Sequence, residues 1–194
     1  MAQRVTILGE TLLANGRFRL TRTKAEIEEG DGARRMLDHE IYHYGRAAAV
    51  LLYDPARGVV RLVKQFRLAA FLADGALDTI EVCAGMLDDD EPEACVKREA
   101  FEETGVRLAQ ATHAFTAYTS PGGVTETIAC FAAPYSVADC VGPGGGVDDD
   151  EHIEIVEIPF DEALAMIGSG AIRDGKTIAL LYYAKANGVF TRGE

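Results

Sequence analysis

The sequence predicts an α+β fold built on a mixed sheet, and three observations lead there. Strand-like and helix-like stretches mix along the 194 residues without strict β-α-β alternation. The segments AAAVLLY (47–53) and VVRLVKQF (59–66), joined by the turn DPARG, form a hairpin rich enough in Val and Leu to be buried on both faces. Segments with helical periodicity and readable ends follow at 91–104, at 161–170 and from Gly175 onward.

In chain order, the first 45 residues read as strands joined by polar turns. RFRLTRTKAEIE (17–28) alternates, EEGDGA turns, and RRMLDHEIYHY (34–44) returns, giving an N-terminal β-hairpin unit over 1–45 ahead of a main domain over 46–194. After the buried hairpin, TIEVCAG (79–85) is a short strand that leads into an acidic stretch. Asp90 and Glu93 are spaced as a capping box for helix 91–104, and Pro92 is tolerated in its first turn. HAFTAYTS (113–120), a PGG turn and TETIACFAA (125–133) make a second hairpin. VGPGGGVDDDEH (141–152) is a Gly-rich acidic loop, and IEIVEIPF (153–160) is a strand. DEALAMIGSG (161–170) is a helix with acidic residues in its first turn and Gly at its end. Asp174 caps the last helix, GKTIALLYYAKANG.

Bulk properties exclude several classes. The net charge of −12 opposes binding to a nucleic-acid duplex or an anionic membrane, since neither partner offers positive charge. No apolar run reaches about 18 residues, and the N-terminus is too polar for a signal peptide, so a cytoplasmic location is expected. Cys83, Cys95, Cys130 and Cys140 are scattered without CxxC or Cys/His ligand spacing, which reads as reduced thiols and not as a zinc or redox site.

The segment 94–105 carries the chemistry. With Ala94 as the origin of a helical wheel, Glu102 falls near 80°, Glu99 near 140° and Glu103 near 180°. Val96 and Ala100 flank this arc on one side, Ala94 and Phe101 on the other, and Lys97 and Thr104 lie opposite it. A surface helix sets its charges opposite its apolar stripe; here they sit between two apolar edges, so the arc should face a site. The competing reading is a solvated acidic face with i,i+4 pairs. Converging carboxylates require positive charge, which Arg98 supplies in part through its reach to Glu102. A hard divalent cation such as Mg²⁺, sharing its coordination with phosphates, supplies the rest.

REAFEETGV (98–106) resembles the second half of the Nudix box, with Arg98, Glu99, Ala100, Glu102, Glu103, Gly105 and Val106 all matching the pattern. The first half departs from it: counted back from Arg98, Asp90 takes the Glu slot and Ala84 the Gly slot, so the loop is one residue shorter. That shortening, together with CAGMLDDDEPE, SPGGVTE, GGGV followed by acids, and IRDGKT, is similar to the GDP-mannose pyrophosphatase branch of the Nudix superfamily, over nearly the whole chain.

The resemblance implies an α/β/α sandwich and Mg²⁺-dependent hydrolysis of a nucleotide sugar. The reaction implied is GDP-mannose to GMP and mannose 1-phosphate, or alternatively ADP-ribose to AMP and ribose 5-phosphate. It implies more than one metal per site, with Mn²⁺ able to substitute, held by Glu99, Glu103, the Ala84 carbonyl and a loop carboxylate. Glu102 would be a further or water-mediated ligand, and Arg98 would orient the carboxylates. Alignment makes the loop carboxylate Glu151, which would contact metal or activate water; Asp150 and Asp149 are the alternatives, and a solvated acidic turn is the plain reading of that cluster. The three glycines before it, 144–146, suggest a freely moving lid. Arg67 and Lys176 would meet phosphate. Gly85, Met86 and Glu126 would contact substrate, although Glu126 also reads as a strand-edge carboxylate. Pro121, sixteen residues after Gly105, marks the branch acting on nucleotide sugars.

In the N-terminal unit the nucleotide-binding positions match Arg17, Asp38, His39 and Glu40; Arg17 stands in place of an aromatic and Asp38 reverses a charge. The resemblance also implies a homodimer with the N-terminal hairpins crossing to the partner. A Nudix-like binding module without catalysis would be expected to have lost box carboxylates, all of which are retained here. A calcium module on the Asp runs lacks the D-x-D-x-D-G spacing.

Overall fold

The structure, a computed structural model, describes residues 4–87, 89–147 and 152–190. They divide into two compact units: 1–45 with 118–127, and 46–117 with 128–194.

The first unit is a three-stranded antiparallel sheet in the order β1-β2-β3, from β1 (Arg4–Asn15), β2 (Arg19–Glu28) and β3 (Arg34–His43). The expected hairpin thus gains a third strand, β1, on its outer edge. Thr21, Ala25 and Ile27 are the buried positions of β2, two or four residues apart, as a half-buried strand requires. The segment 118–127 joins this unit through the Tyr42 amide, which donates to the Gly123 carbonyl at 2.8 Å, and the Thr125 amide, which donates to Tyr42 at 3.0 Å.

The second unit holds a mixed seven-stranded sheet. Its path runs β10 (Glu154–Pro159), β5 (Val59–Gln65), β4 (Arg46–Asp54), β9 (Thr127–Pro134), β8 (Thr112–Tyr118). The predicted strand 79–85 is broken in two: β6 (Thr79–Glu81) pairs with β5, and β7 (Cys83–Met86) pairs with β4. The Val82 amide between them donates to the Thr177 hydroxyl at 2.8 Å, so the break leaves no orphan donor.

The hairpin β4–β5 is buried on both faces, as its composition predicts. Ala48, Val50 and Leu52 of β4 pack with Cys95, Val96 and Ala100 of helix α2 (Pro92–Thr104). Ala47, Ala49 and Leu51 pack on the other face with Ala163 of α3 (Phe160–Ser169) and with Leu180, Leu181 and Ala184 of α4 (Gly175–Ala186). Each leucine so buried contributes roughly 1.5–3 kcal/mol. The result is an α/β/α sandwich with one helix of the acidic box on one face and the C-terminal helices on the other.

The helix ends behave partly as read. Gly170 closes α3 in the left-handed region, at φ 78°. The Asp174 carboxylate accepts from the Thr177 amide at 3.0 Å and opens α4. At α2 the capping box is not formed. Glu91 is the N-cap and makes no side-chain cap bond; with Pro92 at the first helical position the helix starts one residue later than a box on Asp90 and Glu93 requires. A helix absent from the sequence reading, α1 (Leu68–Asp74), follows β5; none of its residues is buried. Among the described residues no helix is long and apolar enough to cross a membrane. Cys83, Cys95, Cys130 and Cys140 are all free thiols, the first three of them buried.

Candidate active site

The acidic helix meets the strand that precedes it. Gly85 of β7 lies so close to α2 that a Cβ there would collide with the Glu99 side chain. Arg98 spans the arc, with its guanidinium 2.8 Å from Glu99, 3.0 Å from Glu102 and 3.4 Å from Asp90. Burial works against the charge of Arg98, but Glu99 and Glu102 outweigh it and raise its pKa. Glu103 is buried, 5% exposed. It hydrogen-bonds the Cys83 thiol, whose pKa is pushed well up by burial first and then by the Glu103 charge, so the thiol stays protonated.

The wheel misplaces one edge of the arc. Cys95, Val96, Ala100, Glu103 and Thr104 form the buried face, whereas Ala94 and Phe101 are exposed. Thr104, expected on the outer side, is buried and its hydroxyl bonds the Ala100 carbonyl at 2.5 Å.

The C-terminal end of α2 is closed completely. The carbonyls of Ala100 and Phe101 accept from Val106 and Gly105. Those of Glu102 and Glu103 accept from the amides of Gly146 at 3.1 Å and Gly145 at 2.9 Å. The Thr104 carbonyl accepts from Arg61 at 2.9 Å. Every carbonyl that a helix end normally leaves over has a donor. The glycines 144–146, read from the sequence as a freely moving lid, have φ of 64°, 96° and 90°, and the amides of Gly145 and Gly146 tie the segment to the helix carrying the carboxylates. Asp149, Asp150 and Glu151, expected to supply the loop carboxylate, lie outside the described residues.

A second cluster sits across the break at Val82. Arg67 grips Glu81 with two bonds, Nε to Oε1 at 2.9 Å and Nη2 to Oε2 at 3.0 Å. Lys176 donates to Glu81 Oε2 at 2.7 Å and to Asp174 at 2.9 Å. Burial pushes the Glu81 carboxyl up, but the bonds from Arg67 and the charges of Lys176 and Arg67 more than offset this and hold it at about 2. The charge of Glu103 reaches Arg67, so the two clusters are electrostatic neighbours. Arg67 and Lys176, expected to meet phosphate, are paired on Glu81, which is not among the expected site residues. Only the juxtaposition of a strand carboxylate with two basic residues distant in sequence could have flagged it, and sequence order hides that.

The remaining expected positions lie as follows. Ala84 and Met86 are half-buried in β7, opposite Ala49 and Ala47 of β4. Arg17, His39, Glu40 and Glu126 all belong to the first unit. Arg17 is exposed, with its guanidinium carbon 5.6 Å from the centre of the Phe18 ring. His39 and Glu40 are exposed on β3, and Glu40 lies 3.8 Å from Arg22. Asp38 is paired with Arg22 at 3.3 Å, so its reversed charge is already compensated. Glu126 is half-buried in the 118–127 segment, which docks on Tyr42.

Among the described residues no three His, Cys, Asp or Glu side chains are already gathered tightly enough to chelate an ion. The donor set of α2 nonetheless suits a hard cation: Glu99, Glu102 and Glu103 offer carboxylate oxygens, and the missing Cβ of Gly85 leaves Glu99 its place. The Arg98 guanidinium is shared among three carboxylates, Asp90, Glu99 and Glu102, so the arc retains capacity for further positive charge.

Comparison with known proteins agrees with the geometry. The family model described as NUDIX domain matches residues 43–181. The GDP-mannose pyrophosphatase of Cronobacter sakazakii is 44% identical over 192 residues, covering 97% of this chain and 99% of that protein. That of Escherichia coli is 42% identical over 188 residues, covering 96% and 98%. Among solved structures, the crystal structure of an ADP compounds hydrolase superposes with a TM-score of 0.73 over 94% of this chain and 93% of that one. Its 15% identity makes that a likeness of fold.

Proposed function

The chain belongs to the Nudix family of hydrolases, and from that premise we propose that it cleaves the diphosphate of a nucleotide sugar, turning GDP-mannose and water into GMP and mannose 1-phosphate. The observation that carries this reading is the pairing of two clusters on one broken strand. Carboxylates of α2 sit on one side of Val82 and the Arg67–Glu81–Lys176 group on the other. A diphosphate needs both, cations for its oxygens and a metal site for its charge. Relatives named for GDP-mannose, matching end to end, support the substrate.

Glu99, Glu103 and the Ala84 carbonyl would hold Mg²⁺, with Mn²⁺ as substitute and Glu102 as a further or water-mediated ligand. Bound there, the metal would neutralise the diphosphate, lower the pKa of the attacking water and stabilise the leaving oxygen. Arg98 lies between Glu99 and Glu102 and keeps both on one side of α2, where they would close around the ion. Arg67 and Lys176 bind phosphate oxygens and orient the diphosphate for in-line attack. Glu151, with Asp150 and Asp149 as alternatives, takes the proton of the attacking water. The water oxygen bonds to one phosphorus as the bridging P–O bond breaks, and each product carries one phosphate. Gly85 and Met86 line the substrate's path at β7.

Arg17, His39, Glu40 and Glu126 would contact the nucleoside and sugar. Arg17 in place of an aromatic favours a second reading, ADP-ribose to AMP and ribose 5-phosphate, since a guanidinium plane stacks on a base without selecting guanine. A homodimer in the cytoplasm completes the proposal. The edge strand β1 exposes Val5, Ile7, Leu8, Leu12 and Leu13, an apolar edge that a second copy would cover.

The deciding experiment is product identification from GDP-mannose, ADP-ribose, UDP-glucose and nucleoside triphosphates with Mg²⁺. GMP and mannose 1-phosphate formed fastest supports the first reading. Faster AMP and ribose 5-phosphate shifts it to the second, and turnover of triphosphates alone overturns both.

A further inference from the structure

Glu81 is 3% exposed, and two cations from distant parts of the chain meet on it. Arg67 follows β5, Lys176 stands in the first turn of α4, and Glu81 ends β6 opposite Val63. We propose that Glu81 is a positioning residue, which holds Arg67 and Lys176 as a preset two-cation cradle for the diphosphate oxygens of the substrate. This rests on the reading that those two cations receive phosphate.

Three features carry it. The grip on Arg67 uses Nε and Nη2 and leaves the two Nη1 protons for an incoming oxygen, on a side chain that is 46% exposed. Lys176 places two bonds, on Glu81 and Asp174, and its third proton meets no acceptor among the described residues. Glu81 is itself pinned by the Thr79 hydroxyl at 2.6 Å and by the ladder with β5. Immobilising a free arginine or lysine on binding costs about 1 kcal/mol each, and that cost is met in advance when the carboxylate already fixes both.

Charge alone argues against a carboxylate at this place, since it lowers the attraction for an anion. A purely structural tie between the strand and α4 is already made by the Val82–Thr177 and Thr177–Asp174 bonds, so a tie does not account for Glu81 either. Geometry does: the carboxylate trades positive charge for direction.

The test compares wild type, Glu81→Gln, Arg67→Met and the double variant. Two readouts are taken: kcat/KM on the nucleotide sugar that wild type cleaves, and calorimetric affinity for GDP without metal. Glu81→Gln should weaken GDP binding and kcat/KM at least tenfold, although it removes a negative charge, as expected when a charged hydrogen-bond partner is lost. Adding Glu81→Gln to Arg67→Met should cost clearly less than Glu81→Gln costs alone, because part of its action runs through Arg67 and only the part through Lys176 remains. Unchanged or tighter GDP binding by a folded Glu81→Gln protein overturns the proposal, as do losses that simply multiply. Should Glu81→Gln not fold, Thr79→Val removes the 2.6 Å bond to Glu81 and keeps its charge. A loss of about threefold that shrinks beside Arg67→Met supports the proposal; no loss, or a multiplying one, overturns it. If wild type cleaves no nucleotide sugar, the functional reading fails by itself, and the GDP affinities still decide the role of Glu81.

Discussion

Glu99 occupies the space in which residue 85 would carry a side chain, so that the glycine and the carboxylate fit only each other. The backbone at Gly85 is not in the left-handed region, and it pairs normally with Ala48, so alanine there is not excluded by strain in the strand. It is excluded by the side chain across the gap. Gly85→Ala should therefore displace Glu99 and lower kcat by roughly 100-fold, the scale set by a misplacement of about 1 Å. The fold should persist, since a long side chain can swing aside. Steady-state kinetics with Mg²⁺ beside circular dichroism decides it: wild-type kcat in the folded variant would remove Glu99 from the site.

Glu103→Gln asks a related question of the buried member of the arc. The amide keeps the size of the side chain and can still accept from the Cys83 thiol, but it loses the charge. Loss of a ligand of this kind should cost at least 100-fold in kcat, as ligand-supporting residues alone cost 10–100-fold. Mg²⁺ uptake measured by calorimetry should weaken in parallel. A variant that binds Mg²⁺ and turns over as the wild type does would show that Glu103 is a buried structural carboxylate.

What the sequence made legible follows from how local each feature is. The unbroken apolar run of β4 predicts burial on both faces because successive side chains point to opposite sides of the sheet, and the ends of α3 and α4 are set by Gly170 and Asp174 within a few residues. The acidic arc of α2 is legible for the same reason. Its cap is not legible because the helix starts one residue late: Glu91 and not Asp90 is the N-cap, and the Asp90 carboxylate lies 3.4 Å from Arg98. The Glu81 cluster was hidden because its partners lie 14 and 95 residues away. Helix α1 is hidden because LAAFLAD is apolar nearly all round, so no polar face sets off a stripe of helical period.

Gly144 tests the closure of α2. At φ 64° it sits in the left-handed region, and a Cβ there would come 2.8 Å from the Glu103 carbonyl and 2.7 Å from the Ile155 side chain. Gly144→Ala should destabilise the protein by about 1–3 kcal/mol through strain and overpacking together. Because the loop caps the helix that bears Glu102 and Glu103, kcat should fall with it. Urea unfolding gives the first quantity and steady-state kinetics the second; an unaltered midpoint would mean that the glycine clamp is not formed in solution.

The Glu81 carboxyl also sets a pH dependence. Folded, it titrates at about 2 against an ordinary value of 4.5, so the folded state favours its ionised form. The unfolded chain takes up this proton first as pH falls. The stabilisation is therefore complete above about pH 4.5 and is lost as pH drops toward 2. On the order of 3 kcal/mol is at stake, from the depression of the carboxyl and about 1.4 kcal/mol per pH unit. The side chain is almost wholly enclosed, so solvent screening removes little of it. Glu81→Gln should be less stable than wild type at neutral pH, and its stability should fall less steeply between pH 4.5 and 2. Urea midpoints measured across that window read the slope directly, and parallel curves for the two proteins would show that Arg67 and Lys176 do not hold the Glu81 carboxylate ionised in the folded state.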